Sequence, residues 1–182
     1  MPNLTNAQPP VSDTSANQLQ AETPGLVVTT ASDVVDPFDG KTSLREALAY
    51  ADSHAGADTI TFAASLAGQT ITLTQGELVI ASDVAIDGDI LGNDDKADIT
   101  ISGNHVSRVF NVTAGTATLD SLNITGGEGG SGDGGAVHAE GGTNLTIEHS
   151  SESDSHAGAG GGIESDGTLG LTGSTLTGNS AI

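Results

Sequence analysis

The sequence predicts an all-β chain, a parallel β-helix whose amino-terminal end is closed by a cap containing one short α-helix. Three observations predict it. Apolar triplets, Leu78-Val79-Ile80, Ile99-Thr100-Ile101, Leu122-Asn123-Ile124, Leu145-Thr146-Ile147 and Leu169-Gly170-Leu171, recur about every 21 to 24 residues, as one unit copied along an axis does. Each alternates like a strand with one buried face and is too short for an amphipathic helix. After four of them stands a turn-prone pair, Ser102-Gly103, Thr125-Gly126, Glu148-His149 or Thr172-Gly173. On this reading the triplets are successive rungs of one ladder, and stacking in register gives the short units a shared interior.

The elements follow in chain order. Residues 1 to 24 are rich in Ser, Thr, Asn, Gln and Pro and read as a polar, flexible leader. Residues 25 to 63 read as the cap, opening with the short strand Leu26-Val27-Val28 and the polar turn Asp33 to Gly40. The period then changes to that of a helix over about 43 to 53. Ser43 is a good N-cap with Glu46 three residues on, and Leu44, Ala47, Leu48 and Ala51 share one face. That face is predicted to cover the open solenoid end, whose unpaired backbone would otherwise recruit another chain. Asp58 to Phe62 and Thr70 to Thr74 alternate as strands, and residues 64 to 182 read as the coils, breaking off in mid-repeat at Gly178 to Ile182. An uncovered end there predicts a fragment, or a subunit covered by a neighbour.

Composition narrows the partners. Twenty-four acidic residues against four basic ones give a formal charge of −20, which repels nucleic acid and anionic membranes and favours cations. No cysteine is present, so disulfide and thiol chemistry drop out. The first residues lack the basic and apolar regions of a secretory signal. No apolar run reaches the roughly 18 residues a membrane span requires, so membrane insertion is not expected.

Val28-Thr-Thr, Asp33 to Gly40, Thr42-Ser-Leu-Arg-Glu-Ala-Leu48, Gly56 to Phe62, Ile86-Asp-Gly88 and Arg108 to Val112 together resemble the amino-terminal region of bacterial right-handed parallel β-helix surface proteins carrying the so-called CSLREA domain. Thr42 stands where that family has cysteine. The resemblance implies a right-handed solenoid, the usual hand of parallel crossovers, and an extracellular or cell-surface location. It also implies a structural or adhesive role, with partners that are further copies, neighbouring subunits or surface glycans.

The most chemically loaded stretch is Asp87 to Asp98, where Asp87, Asp89, Asn93, Asp95 and Asp98 offer closely spaced oxygens of the kind calcium takes. Leu91 interrupts the spacing of an EF-type loop, so the stretch reads either as a calcium site or as a solvated acidic turn. The glycine-rich run Gly126 to Gly135, with Glu128 and Asp133, reads as a corner or a second cation loop. The five histidines read as surface imidazoles, His138 facing outward and His149 at a corner, since zinc requires convergent ligands and no helix carries a suitable pair.

An enzyme would be a carbohydrate-binding or polysaccharide-degrading, pectate-lyase-like β-helix. It requires positioned carboxylates or a basic residue beside the sugar. Asp120, Glu140, Glu148, Asp154, Glu164 and Asp166 supply carboxylates, but Arg108 is the one basic residue after the acidic loop and is expected to pair with a carboxylate. No catalytic constellation is evident. An ice-binding face is excluded by Val79, Asn123 and Gly170 among the outward ladder positions, which break any threonine plane.

Overall fold

The computed structural model describes residues 23–92 and 94–182. Most of the expected leader, and Asn93 of the acidic loop, lie outside the described residues.

The chain climbs in coils. A short strand β1 (Val27–Val28) and the helix α1 (Leu44–Ser53) precede the first coil of β2 (Asp58–Phe62), β3 (Thr70–Thr72) and β4 (Leu78–Ile80). The second coil is β5 (Val84–Asp87), β6 (Ile99–Ser102) and β7 (Phe110–Val112). The third has four strands, β8 (Thr116–Asp120), β9 (Leu122–Thr125), β10 (Glu128–Asp133) and β11 (Val137–Ala139). The fourth repeats them as β12 (Asn144–Glu148), β13 (Ser151–Ser153), β14 (His156–Ala159) and β15 (Ile163–Ser165). The last comprises β16 (Thr168–Thr172), β17 (Thr175–Thr177) and β18 (Ser180–Ala181).

Among the described residues every pairing is parallel, and the strands stack into four walls. In the order the chain visits them these are β1-β2-β5-β8-β12-β16, β3-β6-β9-β13-β17, β10-β14-β18 and β4-β7-β11-β15. The parallel β-helix with one small helix is therefore the fold, and its core is the set of inward columns. In the first wall Ile60, Ile86, Leu119, Ile147 and Leu171 stand in register, and in the fourth Leu78, Phe110, Val137 and Ile163. Each fully buried Ile or Leu contributes about 1.5–3 kcal/mol of apolar transfer.

The register of the predicted ladder requires correction. Ile99-Thr100-Ile101 does lie under Leu122-Asn123-Ile124, and Leu145-Thr146-Ile147 under Leu169-Gly170-Leu171. These two pairs belong to different walls, however, and Leu78-Val79-Ile80 belongs to a third. Coils are also unequal. The Thr116 amide reaches Asp83 across 33 residues, the Leu122 amide reaches Ser150 across 28, and the Ser150 amide reaches Ser174 across 24. Gly126 to Gly135 contains a strand, β10, which pairs with β14 through its backbone although its Glu-Gly-Gly-Ser-Gly-Asp sequence has no alternating apolar side chains.

Corners obey a simple rule. Between the first two walls a residue with positive φ recurs as Ser121 (53°), His149 (46°) and Gly173 (60°). His149 thus shares its corner with Gly173, while Gly103 and Gly126 belong to the next corner, between the second wall and the segment leading to the third. Backbone amides freed at these bends are taken by hydroxyls from the coil above. Ser150 Oγ accepts from the Leu122 amide at 3.0 Å, and Ser155 Oγ accepts from the Gly127 amide at 3.1 Å.

The cap uses each residue of the Ser-Leu-Arg-Glu-Ala run. Ser43 Oγ accepts from the Glu46 amide, and the Glu46 carboxylate accepts from the amides of Ser43 and Asp36, both at 2.8 Å. Leu44, Ala47, Leu48 and Ala51 are buried, and α1 packs against β1, β2 and β4, as expected of a cover on the solenoid end. Thr42 joins through its backbone, accepting from Thr29 at 2.8 Å and donating to the Thr29 hydroxyl at 2.8 Å.

Candidate functional site

The acidic loop is an insertion at the first corner. Where coil three turns on Ser121 alone, coil two places residues 88–98 between β5 and β6. Its neck is closed by two backbone hydrogen bonds, from the Asp98 amide to the Gly88 carbonyl at 3.1 Å and from the Gly88 amide to the Asp120 carbonyl at 2.9 Å. Gly88 admits no side chain, since a Cβ there would stand 2.2 Å from the Ser121 carbonyl oxygen.

Within the loop several carboxylates serve the loop's own backbone. Asp98 Oδ2 accepts from the amides of Ile90 (2.9 Å) and Leu91 (2.7 Å). Asp89 accepts from Gly92 at 3.3 Å and from Asp95 at 3.0 Å, and Asp87 accepts from Asp89 at 3.0 Å. Asp94 is ion-paired with Lys96. An ion bound by Asp89 and Asp98 would compete with these amides.

A different set of groups converges beside the neck. Asp87, Asp120 and Glu148 occupy one outward column of the first wall, one rung apart, hence about 4.8 Å between strands. Ligand atoms of Asp120, Glu148 and His149 lie within 4.8 Å of one another. His149 Nδ1 is 3.0 Å from Asp120 Oδ1, and the Ser121 hydroxyl donates to the same oxygen at 3.2 Å. The hydrogen bond to Asp120, with the nearby charges of Asp95, Asp120 and Glu148, raises the imidazole above its ordinary pKa against a smaller opposing effect of desolvation. Of the residues proposed from sequence as cation ligands, Asp87 and Asp95 are brought towards this cluster, while Asp89 and Asp98 are engaged inside the loop. Sequence reasoning missed Glu148 and His149 as companions of the loop, because their proximity follows from the coil lengths.

Elsewhere Arg108 pairs with a carboxylate as expected, its Nη1 2.7 Å from Glu77 Oε2. Its Nε and Nη2 donate to the carbonyls of Gly134 and Asp133, at 2.9 and 2.6 Å. At the last coil, Leu169, Leu171 and Leu176 are 38%, 47% and 43% exposed, although they stand over Leu145, Ile147 and Glu152 of the coil beneath. Among the described residues no helix is long and apolar enough to cross a membrane. No protein-family model, curated protein or solved structure matches the chain.

Proposed function

We propose that this chain is a structural, adhesive module of an extracellular bacterial surface protein, a capped start of a solenoid that works through its coil edge rather than through a pocket. The observation that carries the reading is the apolar, unpaired edge of β16 and β17, where Leu169, Leu171 and Leu176 keep inward register but remain exposed. The opposite end is closed by α1. An apolar edge of this kind seats a further coil, whether from the same solenoid or from a second copy. The surface location rests on the resemblance of the Thr42 to Leu48 run and its companions, and the charge of −20 agrees with a partner other than nucleic acid.

Calcium belongs to the same proposal, with Asp87, Asp95, Asp120 and Glu148 as the oxygen donors beside the loop neck. The test of the edge is particle mass by light scattering across a concentration series, for the wild type and Leu171→Glu. A concentration-dependent pair that the substitution dissolves supports the reading. A monomer at every concentration overturns it.

A further inference from the structure

The outer face of the fourth wall carries a second convergence, where the third wall bends into the fourth. Asp133 ends β10, His138 is the middle residue of β11, and Glu164, one coil on, is its register partner in β15. Gly134, at φ 64°, makes the bend that sets Asp133 beside His138, and a Cβ there would meet the Val137 carbonyl oxygen at 2.3 Å. Gly160 makes the equivalent bend at φ 52°, where a Cβ would stand 2.6 Å from that of Glu164. Arg108 clamps the carbonyls of Asp133 and Gly134 from below, with its charge answered by Glu77.

We propose that Asp133, His138 and Glu164 form a binding site for a divalent transition-metal ion of the zinc class, which clips the third and fourth walls of adjacent coils together. One ligand atom from each of the three lies within 4.8 Å of the others. His138 Nε2 and Glu164 Oε2 are 3.0 Å apart and both atoms are buried. Yet they are not aligned as a hydrogen bond, and neither atom has another hydrogen-bonding partner. Two atoms that each sit about 2.1 Å from one tetrahedral ion stand about 3.4 Å apart, so the pair needs to part by only a few tenths of an ångström to hold one. Buried polar atoms without partners are costly, and an ion would satisfy both at once. The imidazole nitrogen selects a borderline metal over calcium, which prefers an all-oxygen shell of six to eight ligands. The location also gives the ion a purpose. The third wall, Glu128-Gly-Gly-Ser-Gly-Asp133 under His156-Ala-Gly-Ala159, has little apolar side chain to bury, so a metal supplies cohesion that packing cannot. The site is independent of how the coil edge is used.

The test uses the full chain, treated with chelator and titrated with cobalt as a spectroscopic probe, then with zinc during thermal melts. One ion per chain, a ligand-field spectrum and a zinc-dependent rise in Tm are expected. His138→Ala should abolish all three, Glu164→Gln should weaken uptake at least roughly tenfold, and His149→Ala should leave it intact. His138→Gln, closer in length and polarity, reads the same loss should His138→Ala fail to fold. Absence of saturable uptake overturns the proposal, leaving a plain ion pair between His138 and Glu164. Uptake that survives both His138→Ala and Glu164→Gln, uptake lost in His149→Ala, or displacement by equimolar calcium overturns it equally.

Discussion

Arg45 holds Asp33 through two nitrogens at once, Nε to Oδ1 at 2.8 Å and Nη2 to Oδ2 at 3.1 Å. The same guanidinium donates to the carbonyls of Glu77 (2.9 Å) and Gly76 (2.8 Å), while Asp33 accepts from the amides of Thr74 and Gln75. One ion pair thus ties the cap to the first coil. Removing one partner of so buried a pair strands the other, and Arg45→Ala is expected to cost about 3 kcal/mol in a urea titration. Arg45→Lys should recover little, since a lysine cannot reproduce the paired geometry. A wild-type midpoint for either variant would show that the clamp is dispensable.

The pH response of that clamp has a definite sign. Burial pushes the Asp33 carboxyl up, but Arg45 and the Thr74 and Gln75 amides outweigh it and hold the group below its ordinary value. Its contribution is therefore present above the unfolded carboxylate range and is lost as pH falls through the lower folded pKa. Asp33→Asn should flatten this acid limb of the stability curve, measured by urea midpoints from pH 5 downwards. An unchanged limb would place the acid sensitivity elsewhere.

Glu152 responds in the opposite direction. It occupies an inward position between Ile124 and Leu176, is 1% exposed, accepts a hydrogen bond from Asn179, and leaves Oε1 without a partner. Desolvation raises its pKa against the hydrogen bonds of Ser155 and Asn179. The folded chain then retains a proton that the unfolded chain releases, so stability is fullest below the unfolded pKa and declines as pH rises through the folded one. Glu152→Gln is expected to melt above the wild type at pH 7 and to converge with it near pH 4. A constant offset at both pH values would refute a buried titrating acid.

Two glycines in one loop should behave differently. Gly88→Ala forces a methyl group against the Ser121 carbonyl and the Leu122 side chain, and is expected to cost about 2 kcal/mol or more. Gly92→Ala meets first the Asp94 side chain at 3.3 Å, which can move aside, and should change stability by under about 1 kcal/mol. Equal losses in paired thermal melts would remove the tight neck from the account.

Calcium can be separated from the loop's internal bonding. Asp98→Asn should lower Tm with and without calcium, because its carboxylate serves the Ile90 and Leu91 amides. Asp95→Asn combined with Glu148→Gln should remove the calcium-dependent rise alone. A wild-type Tm indifferent to millimolar calcium would leave the loop a purely protein-held corner.

The fold class was legible because the apolar triplets and the capping box are local signals. Ser43, Glu46 and the face of Leu44, Ala47, Leu48 and Ala51 do in the structure what their spacing predicts. Register was not legible, since an apolar triplet from one wall resembles that from any other and the 88–98 insertion shifts the count. Two strands carried no strand signal at all. β10 is half glycine, with no apolar residue, and β13 reads Ser-Glu-Ser, with its inward place filled by an acid. At the neck cluster, Asp87 and Asp95 stood out by composition, whereas His149 required the knowledge that its corner lies near theirs. At the bend of the fourth wall, Asp133 was visible as a cation donor and His138 as outward-facing, but their meeting with Glu164 depends on a coil length that the sequence does not advertise.

The pinched neck between Gly88 and Asp98 has a consequence for how such a protein can change. Height along the axis is counted in strands, not residues, so whatever grows beyond the neck leaves the walls in step. Doubling the length of a flexible excursion adds only about 0.6 kcal/mol of closure entropy. The corner is thus a graft point, where new surface chemistry can be tried in one coil while the stack above and below retains its alignment.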